Sequence, residues 1–231
     1  IFVCISEMLR KRCIKWAGED HKIWCRPNSV DEKVFYVDRK NKYRYRKELT
    51  GFNEKDKVLV FIAKFRPTKN QIFLLDVIRF LPEEYKLVIG GPLVDYGPLR
   101  ERDQNYFDEI VYRFKKYNLE NRVKIIRGFI DKVDRYIKMS DVYVFPSYSE
   151  GLGTPILESI ACGVPVVANR IEGITDWIIK EGESGYLSSL NPEEFALKIQ
   201  KAIEIPEEKL LKESDRILKN FSTKVIDEEY Y

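Results

Sequence analysis

The stretch Ser147-Tyr-Ser-Glu-Gly-Leu-Gly-Thr-Pro-Ile-Leu-Glu-Ser-Ile-Ala-Cys-Gly-Val-Pro-Val-Val-Ala168 decides how this chain is read. The apolar run Asp141–Phe145 before it reads as a buried strand, stopped by Pro146. A Gly-rich turn then leads into a helix, with Thr154 suited to the N-cap and Pro155 to the first helical position. Gly163 suits the helix end, and Val164–Ala168 reads as the next strand.

Two carboxylates flank the turn. Glu150 precedes it, and Glu158 lies inside the helix among Ile156, Leu157, Ile160 and Ala161. A capping box would need the acid three residues after the cap, where Leu157 stands. An acid on a mostly apolar helix needs a partner, either a ligand or an internal salt bridge, and the ligand is favoured. Gly151 and Gly153 let the backbone approach a ligand closely, and free N–H groups at a helix start favour an anion such as phosphate. Carboxylates on both sides of an anion site suit hydroxyl recognition, because they accept hydrogen bonds from sugar or ribose.

The pattern Glu-x7-Glu, here EGLGTPILE at 150–158, is followed by ACGVPVVA at 161–168. Together they resemble the donor-site signature of retaining glycosyltransferases built from two Rossmann-like domains, and in particular family 4 of those enzymes. The likeness runs from Ile5 to about Tyr231.

With 231 residues and ample apolar and aromatic side chains, the chain suits one large α/β domain, alone or with a fragment of another. It opens on Ile1, which reads as the loss of preceding residues. The net charge of +3 is too small to point to nucleic acid. Cys4, Cys13, Cys25 and Cys162 have no zinc spacing and suit reduced thiols in a cytoplasmic setting. The lone His21 argues against a histidine-based metal site and receives no catalytic role. No apolar run approaches the ~20 residues of a membrane-spanning helix.

From the start, Ile1–Ile5 is strand-like, Ser6 can cap a helix carrying Leu9, Cys13, Trp16 and Ala17, and Lys22–Cys25 reads as a strand. Arg26–Asp31 reads as a turn and resembles the family's "S…PNGVD" passage between domains, with Ser29 in place of Gly. The resemblance assigns residues 1–30 to the end of a first domain and its linker, and 31–220 to the nucleotide-sugar domain. It assigns 221–231 to the start of a crossover helix. Arg39–Lys47 carries six basic residues interleaved with Tyr43 and Tyr45. It reads first as a solvated helix face and second as a peripheral contact with an anionic membrane.

Strand–helix alternation follows, the mark of a parallel sheet with helices on both faces. Strands are expected at 57–63, 86–90, 122–127, 142–145, 164–168 and 185–187. Helices are expected near 68–81, 104–118, 131–140, 154–162, 192–204 and 207–219, with another from Ser222.

Lys64 and Lys69 flank Phe65-Arg-Pro-Thr at the end of the first of these strands, where ligands sit in open α/β sheets. Two ammonium groups there can neutralise a pyrophosphate. The segment resembles the family's "GRL…KG", with Lys64 for Arg and Asn70 for Gly. Arg66, which matches no motif position, is a candidate for the lost guanidinium fork. Gly90 and Gly91 end the next strand in Ile89-Gly-Gly-Pro92, similar to the family's "GxGP" and also consistent with a plain turn. Gly128-Phe-Ile130 matches a loop that in the family faces the nucleotide base, which places Phe129 and Ile130 near it; core packing is the alternative. Residues 171–176 resemble a "GGxxE" loop, with Gly173 matching, Glu172 for Gly and Asp176 for Glu.

The sequence has no GxGxxG opening the sheet, no Walker loop and no Asp-x-Asp pair, so dinucleotide oxidoreduction and a metal-bridged diphosphate are disfavoured. The expected fold is a Rossmann-like α/β domain, one half of a GT-B architecture. The resemblance implies transfer of a hexosyl group, with retention, from a nucleoside diphosphate sugar to an acceptor hydroxyl. The donor is UDP- or GDP-linked, the acceptor a carbohydrate or lipid-linked molecule, and no metal or cofactor is expected. Lys64 and Lys69 would stabilise the leaving β-phosphate, Glu150 would contact the sugar, and Glu158 would hold the ribose. The backbone of Gly151, Leu152 and Gly153 would approach sugar and phosphate. A sugar-nucleotide epimerase of the same architecture and a non-catalytic donor-binding subunit are the alternatives. A phosphorylase is disfavoured, as no lysine sits where its pyridoxal group is held.

Overall fold

A computed structural model describes residues 1–18 and 22–230; His21 lies outside the described residues. The first elements are β1 (Phe2–Cys4), α1 (Glu7–Ala17) and β2 (Ile23–Cys25), with β1 and β2 paired in parallel as a two-stranded sheet of their own. Ser6 caps α1 as expected: its hydroxyl accepts from Leu9 N at 3.3 Å.

The remaining elements alternate: α2 (Lys42–Thr50), β3 (Lys57–Ile62), α3 (Gln71–Val77), β4 (Tyr85–Gly91), α4 (Arg100–Lys116), β5 (Val123–Arg127), α5 (Val133–Met139), β6 (Val142–Phe145), α6 (Thr154–Ala161), β7 (Val166–Asn169), α7 (Thr175–Ile178), β8 (Gly185–Ser188), α8 (Pro192–Ile203), α9 (Glu207–Phe221) and α10 (Thr223–Tyr230). Six strands form one parallel sheet in the order β5-β4-β3-β6-β7-β8. Both faces are covered: α3 packs on α4 and α8, while α5 packs on α2 and α6, and α6 on α9. A strand covered on both sides reads as continuous apolar sequence, which is why Val58–Phe61 and Val142–Phe145 are buried throughout. The expected α/β fold is present.

Three local expectations are corrected. Thr154 is not the cap. Gly153 takes that place in a left-handed conformation (φ 82°) that a side chain would strain, and Thr154 and Pro155 are the first two helical residues. The strand after Gly163 begins at Val166 instead of Val164, since Pro165 has no N–H to give the ladder. The helix expected near 68–81 is broken: Pro67–Lys69 and Ile78–Phe80 are single 3₁₀ turns, with a left-handed Asn70 between the first of them and α3.

The order of the strands sets the place of the site. Chain direction across the sheet reverses between β3 and β6, which are neighbours. At such a switch point, the loops leaving the two strands diverge to opposite faces and open a crevice at the carboxyl ends. The loops after β3 and β6 carry Lys64, Lys69, Glu150 and the Gly-rich turn.

Candidate active site at the β3–β6 switch point

The two loops are joined directly. Tyr148 N donates to Thr68 O at 3.0 Å, and Asn70 Nδ2 to Pro146 O at 3.3 Å. Asn tolerates the left-handed backbone better than other residues with a side chain, so Asn70 keeps a conformation that Gly would otherwise supply. The Gln71 side chain anchors the β3 loop, its Nε2 donating to Lys64 O at 2.8 Å.

Across this junction Lys69 Nζ donates to Glu150 Oε1 at 2.5 Å, with the side chains 24% and 12% exposed. Two residues 81 apart in sequence therefore meet. Lys64 is exposed at the end of β3. Leu152 and Gly153 are buried beneath the turn.

Glu158 lies one helical turn into α6. Its carboxylate makes no hydrogen bond or ion pair among the described residues, so the internal salt bridge is not there. Burial pushes its carboxyl up to about 7. The neighbouring Tyr143 and Cys162 are themselves pushed up by burial, Cys162 to about 12, with Glu158 adding to both shifts.

The two glycines ending β4 differ in purpose. A Cβ at Gly91 would lie 2.1 Å from the Ala63 carbonyl oxygen, so the chain's own backbone just past β3 approaches closely there. A Cβ at Gly90 would meet Ile130 Cδ1 at 2.6 Å, so the Ile130 side chain lies against Gly90. Phe129 stands 85% exposed beside it.

The N-terminal unit forms part of the site, which the sequence did not announce. Ile5 and Leu9 pack on Gly151, and Met8 on Gly173. Asn28 Nδ2 donates to Thr154 Oγ1 at 3.1 Å. Two clefts result, one on each side of α1. A cleft of about 450 Å³ is lined by Leu9, Arg12, Arg66, Thr68, Lys69, Ser149, Glu150 and Gly151. Another of about 640 Å³ runs between Met8, Lys11, Arg12 and Lys15 on one side and Glu172, Gly173 and Trp177 on the other. Asp176 of the 171–176 loop accepts from Gly173 N at 2.7 Å, so that carboxylate holds its own turn.

The basic stretch is largely spent inside the fold. Arg39 bonds Glu207 and the Gly163 carbonyl, Lys42 bonds Asp141, and Arg46 is buried. Lys40, Arg44 and Lys47 stay exposed, so the solvated-face reading holds for half the cations. No described helix is long and apolar enough to cross a membrane.

Known proteins resemble this chain in sequence and in fold. The sequence model of the family described as "Glycosyl transferases group 1" matches residues 44–220. The chain is 32% identical over 160 residues to N-acetyl-alpha-D-glucosaminyl L-malate synthase of Bacillus anthracis, covering 69% of this chain and 38% of that protein. It is 26% identical over 191 residues to the Escherichia coli UDP-Gal:alpha-D-GlcNAc-diphosphoundecaprenol alpha-1,3-galactosyltransferase, covering 82% and 47%. The chain thus spans less than half the length of these two relatives. Anabaena HepE in complex with UDP-glucose superposes with a TM-score of 0.85 at 20% identity, covering 98% of this chain and 61% of that one, a likeness of fold.

Proposed function

The chain belongs to the group 1 glycosyl transferases, and from that premise we propose that it carries the donor site for hexosyl transfer from a UDP- or GDP-linked sugar to an acceptor hydroxyl. The observation that carries this reading is the meeting of Lys69, Glu150 and the Gly-rich turn at the β3–β6 switch point.

The chemistry follows from the charges. Breaking the bond between sugar and phosphate builds negative charge on the β-phosphate, and a fixed cation beside it lowers the barrier. Lys69 would supply that cation, with exposed Lys64 on the same loop and the α6 N-terminus following the Gly-rich turn. With this positive charge in the protein, the proposal needs no metal ion. A diphosphate binding here takes Lys69 from Glu150 and frees that carboxylate to accept from a sugar hydroxyl. Glu158 accepts from the ribose hydroxyls. Phe129, exposed next to Ile130 and Gly90, is a platform for the base. Retention at the anomeric carbon and placement in family 4 belong to the same proposal, resting on the EGLGTPILE and ACGVPVVA motifs.

The domain boundaries are proposed at 30 and 220. In support, β1 and β2 form a sheet separate from the other six strands, and the junction of α9 and α10 is tied to the linker. There Val30 N donates to Phe221 O at 2.7 Å, and Arg26 pairs with Asp227 at 3.1 Å. By analogy with the E. coli relative, a lipid-linked diphosphate is one acceptor class to test.

The test is thermal unfolding against UDP, GDP and their hexose derivatives. A ligand at 100 times its Kd adds ~2.7 kcal/mol, which a melt resolves. The expected result is stabilisation by one nucleotide series, but no sugar transfer by these 231 residues alone, because a two-sided cleft excludes water and seats the acceptor. Absence of stabilisation by both series overturns the donor-site assignment, and robust transfer overturns the need for a second wall.

A further inference from the structure

We propose that Arg66, which matches no motif position, is the guanidinium that grips the donor diphosphate, and that Arg12 of α1 closes on the same anion from the opposite wall. This rests on the donor-site reading above and adds residues to it.

Charge and burial carry the argument. The cleft of about 450 Å³ holds three cations, Arg12, Arg66 and Lys69, against one carboxylate, Glu150. Lys69 is paired with Glu150. Arg12 and Arg66 make no ion pair with any described residue. The cleft therefore carries two positive charges that no described residue answers.

Arg66 differs from an ordinary surface arginine in one respect. Its Nε is buried and has no hydrogen-bond partner. A buried N–H left unpaired costs stability, and natural folds keep few of them unless something else pairs with it. Arg66 precedes Pro67, in extended backbone (φ −160°, ψ 153°), on the loop that Gln71 and Tyr148 fasten. The side chain is thus presented from a fixed base. Its planar fork donates two parallel bonds to phosphate oxygens, which an ammonium group cannot do. Lys64 is exposed and does not line this cleft. The fork lost by having Lys64 in place of arginine is recovered two residues later. Arg12 stands across the gap on α1, so an anion held by Arg66 and Lys69 is also held from the N-terminal unit.

The experiment is isothermal titration of the 231-residue chain with UDP and with uridine, using Arg66→Gln, Arg66→Lys, Arg12→Gln and Lys69→Ala. Arg44→Gln, an equal charge loss on α2 away from the cleft, is the control. UDP affinity is expected to fall at least tenfold in Arg66→Gln and three- to tenfold in Arg12→Gln, with uridine affinity within twofold. Arg66→Lys recovers only part of the loss, and Arg44→Gln stays within twofold for both ligands. Uridine binding doubles as the test of folding, so a misfolded variant is recognised by loss of both ligands. If Lys69→Ala weakens UDP while Arg66→Gln does not, the Arg66 assignment is overturned and the donor site stands. If neither lysine nor arginine variant separates UDP from uridine, the donor-site reading itself falls.

Discussion

The two ends of the six-stranded sheet treat buried charge in opposite ways. At the strand starts, Arg46 is 1% exposed and donates to the carbonyls of Met139, Glu54 and Asp56 and to Asp141 Oδ2. Asp141 also accepts from Lys42 Nζ and from Val58 N, both at 2.6 Å. Burial pulls the Lys42 ammonium down, and Asp141 opposes that pull. At the strand ends the Glu158 carboxylate has no partner among the described residues, and Arg66 Nε, Gln71 Oε1 and Ser147 Oγ are buried without one there. Among the described residues, the strand starts thus answer their buried charge, while several polar groups at the strand ends stay unpaired. Basic sequence alone does not distinguish the two ends; partnership does.

The largest expected effect breaks the satisfied end. Asp141→Ala strands Arg46 and Lys42 together and leaves Val58 N without its acceptor. Removing one partner of a buried pair costs ~3–5 kcal/mol, so urea unfolding should show a loss of that size. Nucleotide affinity of the folded fraction should stay within twofold. A large loss of affinity with little loss of stability would reverse the roles given to the two ends.

Next comes Lys69→Ala at the open end. Hydrogen bonds to charged groups contribute ~1.5–3 kcal/mol, so UDP should weaken by about that much and uridine hardly at all. Raising the salt should narrow the gap between the two ligands. Equal losses would make Lys69 a structural partner of Glu150 and nothing more.

Glu158→Ala is expected to weaken UDP and uridine alike, by ~1–3 kcal/mol, because the ribose is common to both. Glu158→Gln should recover part of the loss, as an amide oxygen accepts more weakly than a carboxylate. Unchanged binding in a folded Glu158→Ala variant removes the ribose assignment.

How far these contrasts were legible in sequence depends on range. The buried strands announced themselves through continuous apolar runs, and the Gly-rich turn and Glu158 through local spacing. The helix start at Gly153 did not, because a left-handed cap replaced the side-chain cap that Thr154 suggested. The Arg39–Lys47 stretch read as mainly solvated because its partners are remote: Asp141 lies 95 residues beyond Arg46. For the same reason the sequence could not place Leu9 and Arg12 of α1 against the turn at Gly151. The departures at Lys64 and Asn70 looked like losses. In the structure Asn70 holds the backbone turn, and Arg66 lines the same cleft as Lys69.

The sharpest test of the open end is read from pH alone. The Glu158 carboxyl is pushed up to about 7 by burial, above its unfolded value. In the free protein the stability tied to this group is fully present below the unfolded pKa and is lost as pH rises through about 7. Glu158→Gln, which cannot ionise, should therefore gain stability relative to the parent between pH 5 and pH 8. Ligand binding should run the other way. Ribose hydroxyls donate to the carboxylate, so the ionised form binds better and binding releases a proton. A nucleoside diphosphate hexose suits the measurement, since it lacks the terminal phosphate ionisation near pH 6. Its affinity should rise by up to about tenfold per pH unit below the carboxyl's pKa and level off above it. Glu158→Gln should flatten the profile. A parent profile without slope would mean that Glu158 is not the ribose acceptor. A slope that persists in Glu158→Gln would assign the titration to another group.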